Sequence, residues 1–202
     1  MNVPASSSTP LRVFVLAVLA LLMLASRAHP FDHFTPPDAS WAAFFLGGFY
    51  LRRWTRWAFP LLMALAVAID WAVIHAQGID FWRHYCVSAA YWCLIPAYFV
   101  LWAGGSWLAR HYRGAGWTAL AKALAALVVA AAICQLLAQG SFYWISDSVP
   151  QPTLAGWWRN YLDWLPPYLR TATAYVAVAA VLQVAGEHIA RRLAGRGAPA
   201  AR

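Results

Sequence analysis

The sequence predicts an all-α membrane protein with six transmembrane helices in a single domain, residues 1–202. Of its residues, 62% are hydrophobic and only 11% are charged, whereas soluble domains are about half apolar and about a quarter charged. The net charge of +8 comes from basic residues that lie between apolar runs rather than in one patch. This pattern is typical of a membrane protein whose basic residues set its orientation, and it argues against a nucleic-acid partner.

Six apolar segments supply the predicted helices. A spanning helix needs about 20 residues, so the third to sixth segments are long enough and the first two are short. The first segment ends in Ser26-Arg27-Ala28, which resembles a signal-peptide cleavage site. Cleavage of this segment as a signal peptide is therefore the alternative to a retained first span. We predict spans at residues 11–26, 39–54, 57–77, 85–108, 117–139 and 172–189.

The basic residues predict the orientation. With the N-terminus in the cytoplasm, 11 of the 15 Lys and Arg residues fall on the inner side and four fall outside. This asymmetry is the positive-inside signature, and it places both termini in the cytoplasm. The outer loops are then residues 27–40, 78–84 and 140–170.

The third outer loop is long and contains eight aromatic residues. Disordered segments are poor in aromatic residues, and loops of this length are usually functional. We therefore expect residues 140–170 to fold into short interfacial helices over the outer face.

Asp70 is an acidic residue that is predicted to lie inside the third span. A carboxylate there costs about 2.5–3.5 kcal/mol on insertion scales. It must therefore face a water-filled cavity or pair with a structural partner such as a Trp N–H or an Arg. Either arrangement makes Asp70 a candidate site residue.

Cys86 is the candidate reactive thiol. It begins the predicted fourth span, next to Arg83 and His84, and neighbouring cations lower a thiol pKa. Cys93 lies seven residues later, about 10 Å away on a straight helix, which is too far for a disulfide. Cys134 lies in an Ala/Val-rich span and is typical of core packing.

Three further residues are candidate site residues, although each also has a common structural explanation. His33 lies between phenylalanines in the first outer loop, where a solvated histidine is the common case. Arg159 follows two tryptophans and either snorkels at the interface or clamps an anion or amide. Tyr91 is amphipathic and either packs or donates into a cavity. The sequence contains no zinc-ligand spacing, so we expect no metal held by the protein alone.

The chain resembles the BtuM family of predicted bacterial cobalamin transporters. The resemblance rests on the six spans, the loop Phe31-Asp32-His33-Phe34, the run from Pro36 to Leu51 into the second helix, and the cysteine heading the fourth. This family comprises solitary relatives of the S-components of energy-coupling-factor transporters. The resemblance implies an S-component-like bundle in the bacterial cytoplasmic membrane that binds cobalamin on its outer side.

The resemblance also implies residue roles. Cys86 corresponds to the family's cysteine, an upper axial ligand of the cobalt in bound cobalamin, with decyanation of cyanocobalamin and reduction of cobalt as accompanying steps. The family's other site residues correspond to His33, Tyr91 and Arg159, and its acidic residue to Asp70, with Asp80 as the alternative. Cobalamin is then the transported substrate rather than a resident cofactor.

One departure concerns the energy source. S-components that dock a shared energising module often carry Ala-x-x-x-Ala in the first helix. Here Ala17 and Ala20 are each followed four residues later by leucine, which favours a protein without such a module. The competing interpretations are a membrane thiol oxidoreductase, which would need paired outer cysteines, and a scaffold subunit that presents the aromatic loop.

Overall fold

The computed structural model describes residues 8–27 and 36–196, and every regular element in these ranges is helical. The all-α prediction is therefore confirmed for this part of the chain. Short 3-10 helices cover residues 52–54, 81–83 and 89–93. The α-helices are α1 (Thr9–Arg27), α2 (Ser40–Leu51), α3 (Thr55–Ala76), α4 (Leu94–His111), α5 (Trp117–Ile145) and α6 (Leu154–Arg196).

Five helical regions within the described ranges are long and apolar enough to cross a membrane. The six predicted spans become five by this criterion because the second and third join into the helical region Ser40–Ala76. Large apolar side chains stay exposed on the helix surfaces, for example Phe14 at 64% and Leu182 at 68%. Exposed apolar surface on this scale suits contact with lipid and is expected of a multi-pass membrane protein.

The region Ser40–Ala76 reverses direction at residues 52–54. Arg27, at the end of α1, bonds both to Ser40, which begins α2, and to Asp70, near the end of α3. The beginning of α2 and the end of α3 therefore lie at the same end of the molecule. Helix α2 has only 12 residues, about 18 Å of helix, so it is short for a span.

The predicted third outer loop is largely helical, which corrects the expectation for residues 140–170. Helix α5 continues to Ile145 and α6 begins at Leu154, so the connection covers only residues 146–153. The interfacial helices expected there are instead the first turns of a 43-residue helix, about 64 Å long. Pro166 and Pro167 lie inside this helix and remove two backbone donors, a feature that suggests a helix boundary from sequence alone.

The fourth predicted span also begins later than expected. Residues 84–88 form a turn and a bend, residues 89–93 form a 3-10 helix, and α4 starts at Leu94. Cys86 therefore lies in an irregular segment rather than at a helix start, and the helical spacing assumed between Cys86 and Cys93 does not apply. Both thiols are free, as is the buried Cys134.

The core is built around α2 and α4, which approach until their backbones touch. A Cβ atom on Gly48 would overlap the carbonyl oxygen of Trp102, and one on Gly105 would overlap the carbonyl oxygen of Phe45. Small residues at facing positions permit this distance between helices. The Trp102 side chain is fully buried, and its indole N–H donates to Thr55 Oγ1 at 2.8 Å.

Candidate functional site

An ion pair joins α1 to α3 at the end of the molecule where α2 begins. The Arg27 guanidinium, on the last residue of α1, donates to Oδ1 of Asp70. The two side chains are 14% and 20% exposed. Asp70 therefore has the arginine partner that was one of the two predicted alternatives.

Further hydrogen bonds extend the ion pair into a polar network of Arg27, Asp70, Tyr91, Ser40 and Asp38. The Tyr91 hydroxyl donates to Asp70 Oδ2 at 2.7 Å, so both carboxylate oxygens accept. Arg27 also donates to Ser40 Oγ at 3.2 Å, and that hydroxyl donates to Asp38 at 2.6 Å. One cation thus lies between two carboxylates, and each charge has a partner, as partly buried charges require.

A cavity of about 200 Å³ opens beside this polar network, between α3 and the segment that leads into α4. We call it the acid cavity. Asp70, Tyr91 and Arg27 supply its polar wall. The sequence predicted that Asp70 either faces a cavity or pairs with a structural partner, and the structure has both a cavity and a partner beside it. The remaining wall is mostly apolar, from Met63, Ala64, Ala66, Val67, Trp92, Leu94, Ile95 and Tyr98.

The Cys86 thiol lies near this site and contacts a histidine. His84 Nδ1 and Cys86 Sγ are 2.7 Å apart. Burial raises the pKa of the Cys86 thiol above its ordinary value, and the negative charge of Asp70 raises it further, against a smaller opposing effect of Arg27. The expectation that neighbouring cations lower this pKa is therefore wrong, because desolvation and the carboxylate of Asp70 outweigh the lowering effect of Arg27.

The other predicted site residues are not all brought together. Arg159 is exposed on α6, and neither a hydrogen bond nor an ion pair joins it to the described residues. Asp80 is also exposed, and it accepts from the Trp82 backbone N–H at 2.9 Å, which caps a 3-10 helix. Of the two acidic candidates, Asp70 is the one in the polar network. His33 lies outside the described residues.

Three buried polar atoms have no hydrogen-bond partner within the described ranges. They are both amide atoms of Gln139 and the indole nitrogen of Trp157. Trp157 lies against the backbone at Gly140, so these groups belong to the contact between α5 and the first turns of α6. Buried polar atoms without partners are uncommon in native structures, and they are ready to bond to a ligand or to water.

The chemistry available at this end is that of one thiol beside one imidazole, and of the carboxylates of Asp38 and Asp70. No group of three His, Cys, Asp or Glu side chains within the described ranges could hold a metal ion. A cobalt ion that brings its own macrocycle needs only one ligand from the protein, and a thiolate is a soft donor suited to that position.

Sequence reasoning missed Arg27, Ser40 and His84. Arg27 was considered as an outer-side charge and as part of a resemblance to a cleavage site, although it ends the first apolar segment at the level where Asp70 needs a partner. Ser40 carries no motif, and His84 was considered only for its charge. The pairing of His84 with Cys86 follows from a two-residue spacing in a turn, which the predicted helix excluded.

Comparison with models of known protein families and with curated proteins finds no match to this chain.

Proposed function

We propose that the protein binds cobalamin at the end that carries Asp70 and takes it up across the bacterial cytoplasmic membrane. The observation that carries the proposal is a free thiol, held by an imidazole, beside a polar network within membrane-spanning helices. Charged groups within spans usually belong to substrate sites. The resemblance described above supplies the identity of the substrate.

The thiol is the proposed upper axial ligand of cobalt. Its raised pKa means that it is protonated at neutral pH, so binding to cobalt must release a proton. His84, at 2.7 Å, is the acceptor. With cyanocobalamin the exchange forms the cobalt–sulfur bond and breaks the cobalt–cyanide bond. Cyanide leaves with the electron pair of that bond and takes up the proton from His84, so this ligand exchange leaves the oxidation state of cobalt unchanged. The reduction of cobalt that the resemblance implies is a separate step and is not part of this exchange.

The side amides of the corrin need both donors and acceptors. Arg27, Asp70 and Tyr91 line the polar wall of the acid cavity, and the amide of Gln139 and the indole of Trp157 have no partner within the described ranges. Arg159 and His33 complete the proposed set on the basis of the resemblance. Because the cavity of about 200 Å³ is smaller than the roughly 300–1,000 Å³ of typical ligand pockets, the macrocycle must lie across its mouth.

The proposed topology has six membrane crossings with both termini in the cytoplasm. Its support is the positive-inside count and the reversal of the chain at residues 52–54, which makes α2 and α3 antiparallel. In this arrangement Asp70 and Cys86 lie on the outer side. Transport without a shared energising module remains part of the proposal, on the basis of Leu21 and Leu24 in the first helix.

A visible absorption spectrum tests the thiol ligand. The protein, purified in detergent, is mixed with cyanocobalamin, and we expect a bound corrinoid with a shifted spectrum that is lost in Cys86→Ser. Cys93→Ser is the matched control, because Cys93 is also a free, partly buried cysteine. Absence of bound corrinoid from the wild-type protein would overturn the proposal and favour the oxidoreductase or scaffold interpretations.

A growth assay tests uptake. A cobalamin auxotroph without its own importer should grow on cobalamin when it expresses this protein. Growth should be lost with Asp70→Asn, while Asp80→Asn, at the exposed cap, should leave it intact. Unchanged growth with Arg159→Ala would exclude Arg159 from the proposed cobalamin site. Unchanged growth with Asp70→Asn would exclude the polar network from that site.

A further inference from the structure

A second cavity lies at the opposite end of the molecule, where α3 begins and α4 ends. Its volume is about 380 Å³, and it is lined by Arg52, Arg53, Thr55, Phe99, Trp102, Ala103, Ser106, Trp107 and Arg110. We call it the basic cavity. Helix α3 rises about 22 Å between Thr55 and Asp70, so the basic cavity is remote from the proposed cobalamin site.

Three guanidinium groups converge on the basic cavity without an acidic partner. No ion pair within the described ranges involves Arg52, Arg53 or Arg110. The acidic residue at this end, Glu187, is already bonded to the Tyr112 hydroxyl and the Ala115 backbone N–H. Three uncompensated cations facing one cavity favour a ligand with at least one negative charge, and guanidinium forks match phosphate oxygens.

The hydroxyl groups in the wall are used within the fold. Thr55 Oγ1 donates to the Arg52 carbonyl oxygen and accepts from the Trp102 indole. Ser106 Oγ donates to the Gly48 carbonyl oxygen. These bonds fix the floor of the basic cavity, so its remaining side-chain donors toward a ligand are the arginines and the indole N–H of Trp107.

The rest of the basic cavity is an apolar stripe along α4. Phe99, Trp102, Ala103, Ser106, Trp107 and Arg110 follow the spacing of one helix face. From Arg110 to Phe99 this face runs about 16 Å toward the membrane interior. Phe99 and Trp107 are 47% and 45% exposed, so their rings are available to a ligand.

We propose that the basic cavity binds the phosphate group of an anionic phospholipid, with an acyl chain along the stripe from Trp107 to Phe99. A free phosphate or a soluble phosphate ester shares the chemistry of the headgroup but has no use for the apolar stripe. Basic cavities between transmembrane helices are known to bind such headgroups. This proposal does not depend on the cobalamin proposal, because it uses neither the polar network nor Cys86.

Native mass spectrometry of the full chain in detergent tests the proposal, with phosphatidylglycerol as the probe and phosphatidylcholine as the neutral comparison. The cavity variant is Arg52→Gln/Arg53→Gln/Arg110→Gln. The control variant, Arg56→Gln/Arg113→Gln/Arg192→Gln, removes the same charge from exposed arginines that do not line the cavity. At about 1 kcal/mol per arginine, the cavity variant should bind phosphatidylglycerol about 100-fold more weakly, and the control variant should match the wild type.

Two additional arms separate the sources of phosphate. Phe99→Ala should weaken phosphatidylglycerol binding, and sn-glycerol 3-phosphate, which has no acyl chain, should not compete with the lipid. Equal losses in the cavity and control variants would overturn the proposal, because the arginines would then act only as diffuse surface charge. Competition by sn-glycerol 3-phosphate, or no preference over phosphatidylcholine, would overturn the assignment to an anionic lipid.

Discussion

The two ends of the molecule handle charge in opposite ways. At one end Arg27 is bonded to Asp70 and Ser40, and Asp70 is also bonded to Tyr91, so the charges are compensated inside the fold. At the other end Arg52, Arg53 and Arg110 face a cavity with no carboxylate partner among the described residues. The first arrangement contributes to the stability of the fold, and the second leaves its cations free for an external anion.

The largest expected effect comes from breaking the compensated end. Asp70→Asn leaves Arg27 without its ionic partner in a partly buried position, so we expect a loss of about 3 kcal/mol in the free energy of unfolding. Titration with denaturing detergent, followed by tryptophan fluorescence, measures this. Asp80→Asn is the control, since an exposed cap keeps its acceptor. Equal stability of the two variants would show that the ion pair contributes nothing to the fold.

A smaller loss should follow from removing one hydrogen bond of the polar network. Tyr91→Phe keeps the ring and removes the donor to Asp70 Oδ2, which should cost about 1.5 kcal/mol because the acceptor is charged. The same detergent titration measures it. Tyr85→Phe is the control, because Tyr85 is 70% exposed and its hydroxyl has no partner within the described ranges. Equal losses in both variants would contradict the role of Tyr91.

The compensated end should also set the reactivity of Cys86. The negative charge of Asp70 raises the pKa of this thiol, so Asp70→Asn should lower that pKa and increase the thiolate fraction at about pH 8. Maleimide labelling should therefore be faster in Asp70→Asn than in the parent, both in a Cys93→Ser background. Cys134 does not interfere because it is fully buried. Slower labelling would contradict the sign of this interaction.

The smallest effect on stability is expected at the uncompensated end. Arg53→Gln or Arg110→Gln removes a cation that has no carboxylate partner in the described ranges, so the free energy of unfolding should change by less than about 0.5 kcal/mol. A detergent titration beside Arg27→Gln, which breaks the ion pair, sharpens the contrast. If Arg110→Gln lowered the free energy of unfolding as much as Arg27→Gln, the charges around the basic cavity would also be compensated within the fold.

The sequence predicted the helical class, which follows from composition, but not the residues at which helices α4 and α6 begin. Apolar runs predicted the helical class because a membrane allows few other structures. The start of α6 was missed because residues 140–170 lie outside the apolar runs and were predicted to be a loop, although the helix continues through Pro166 and Pro167. The delayed start of α4 was missed because residues 85–93 are as apolar as a helix.

The sequence identified some members of the candidate site, such as Asp70, Tyr91 and Cys86, but neither their partners nor the bonds among them. Asp70 was identified by the cost of a carboxylate in a span, which is a local property. Its partner Arg27 is 43 residues away in the chain, and the packing of α1 against α3 that brings them together cannot be read from periodicity. The pKa of Cys86 was predicted in the wrong direction because its sequence neighbours were considered, rather than its burial and the charge of Asp70.

The contact between α2 and α4 through Gly48 and Gly105 limits how this protein can move. Backbone atoms meet there with no side chain between them that could change rotamer, so the two helices must shift together. Helix α3, by contrast, packs on α4 near its beginning, at Thr55 and Phe59, and is separated from α4 near Asp70 by the acid cavity. A movement of the helices would therefore keep α2 and α4 as its fixed frame and displace α3, together with the carboxylate that it carries.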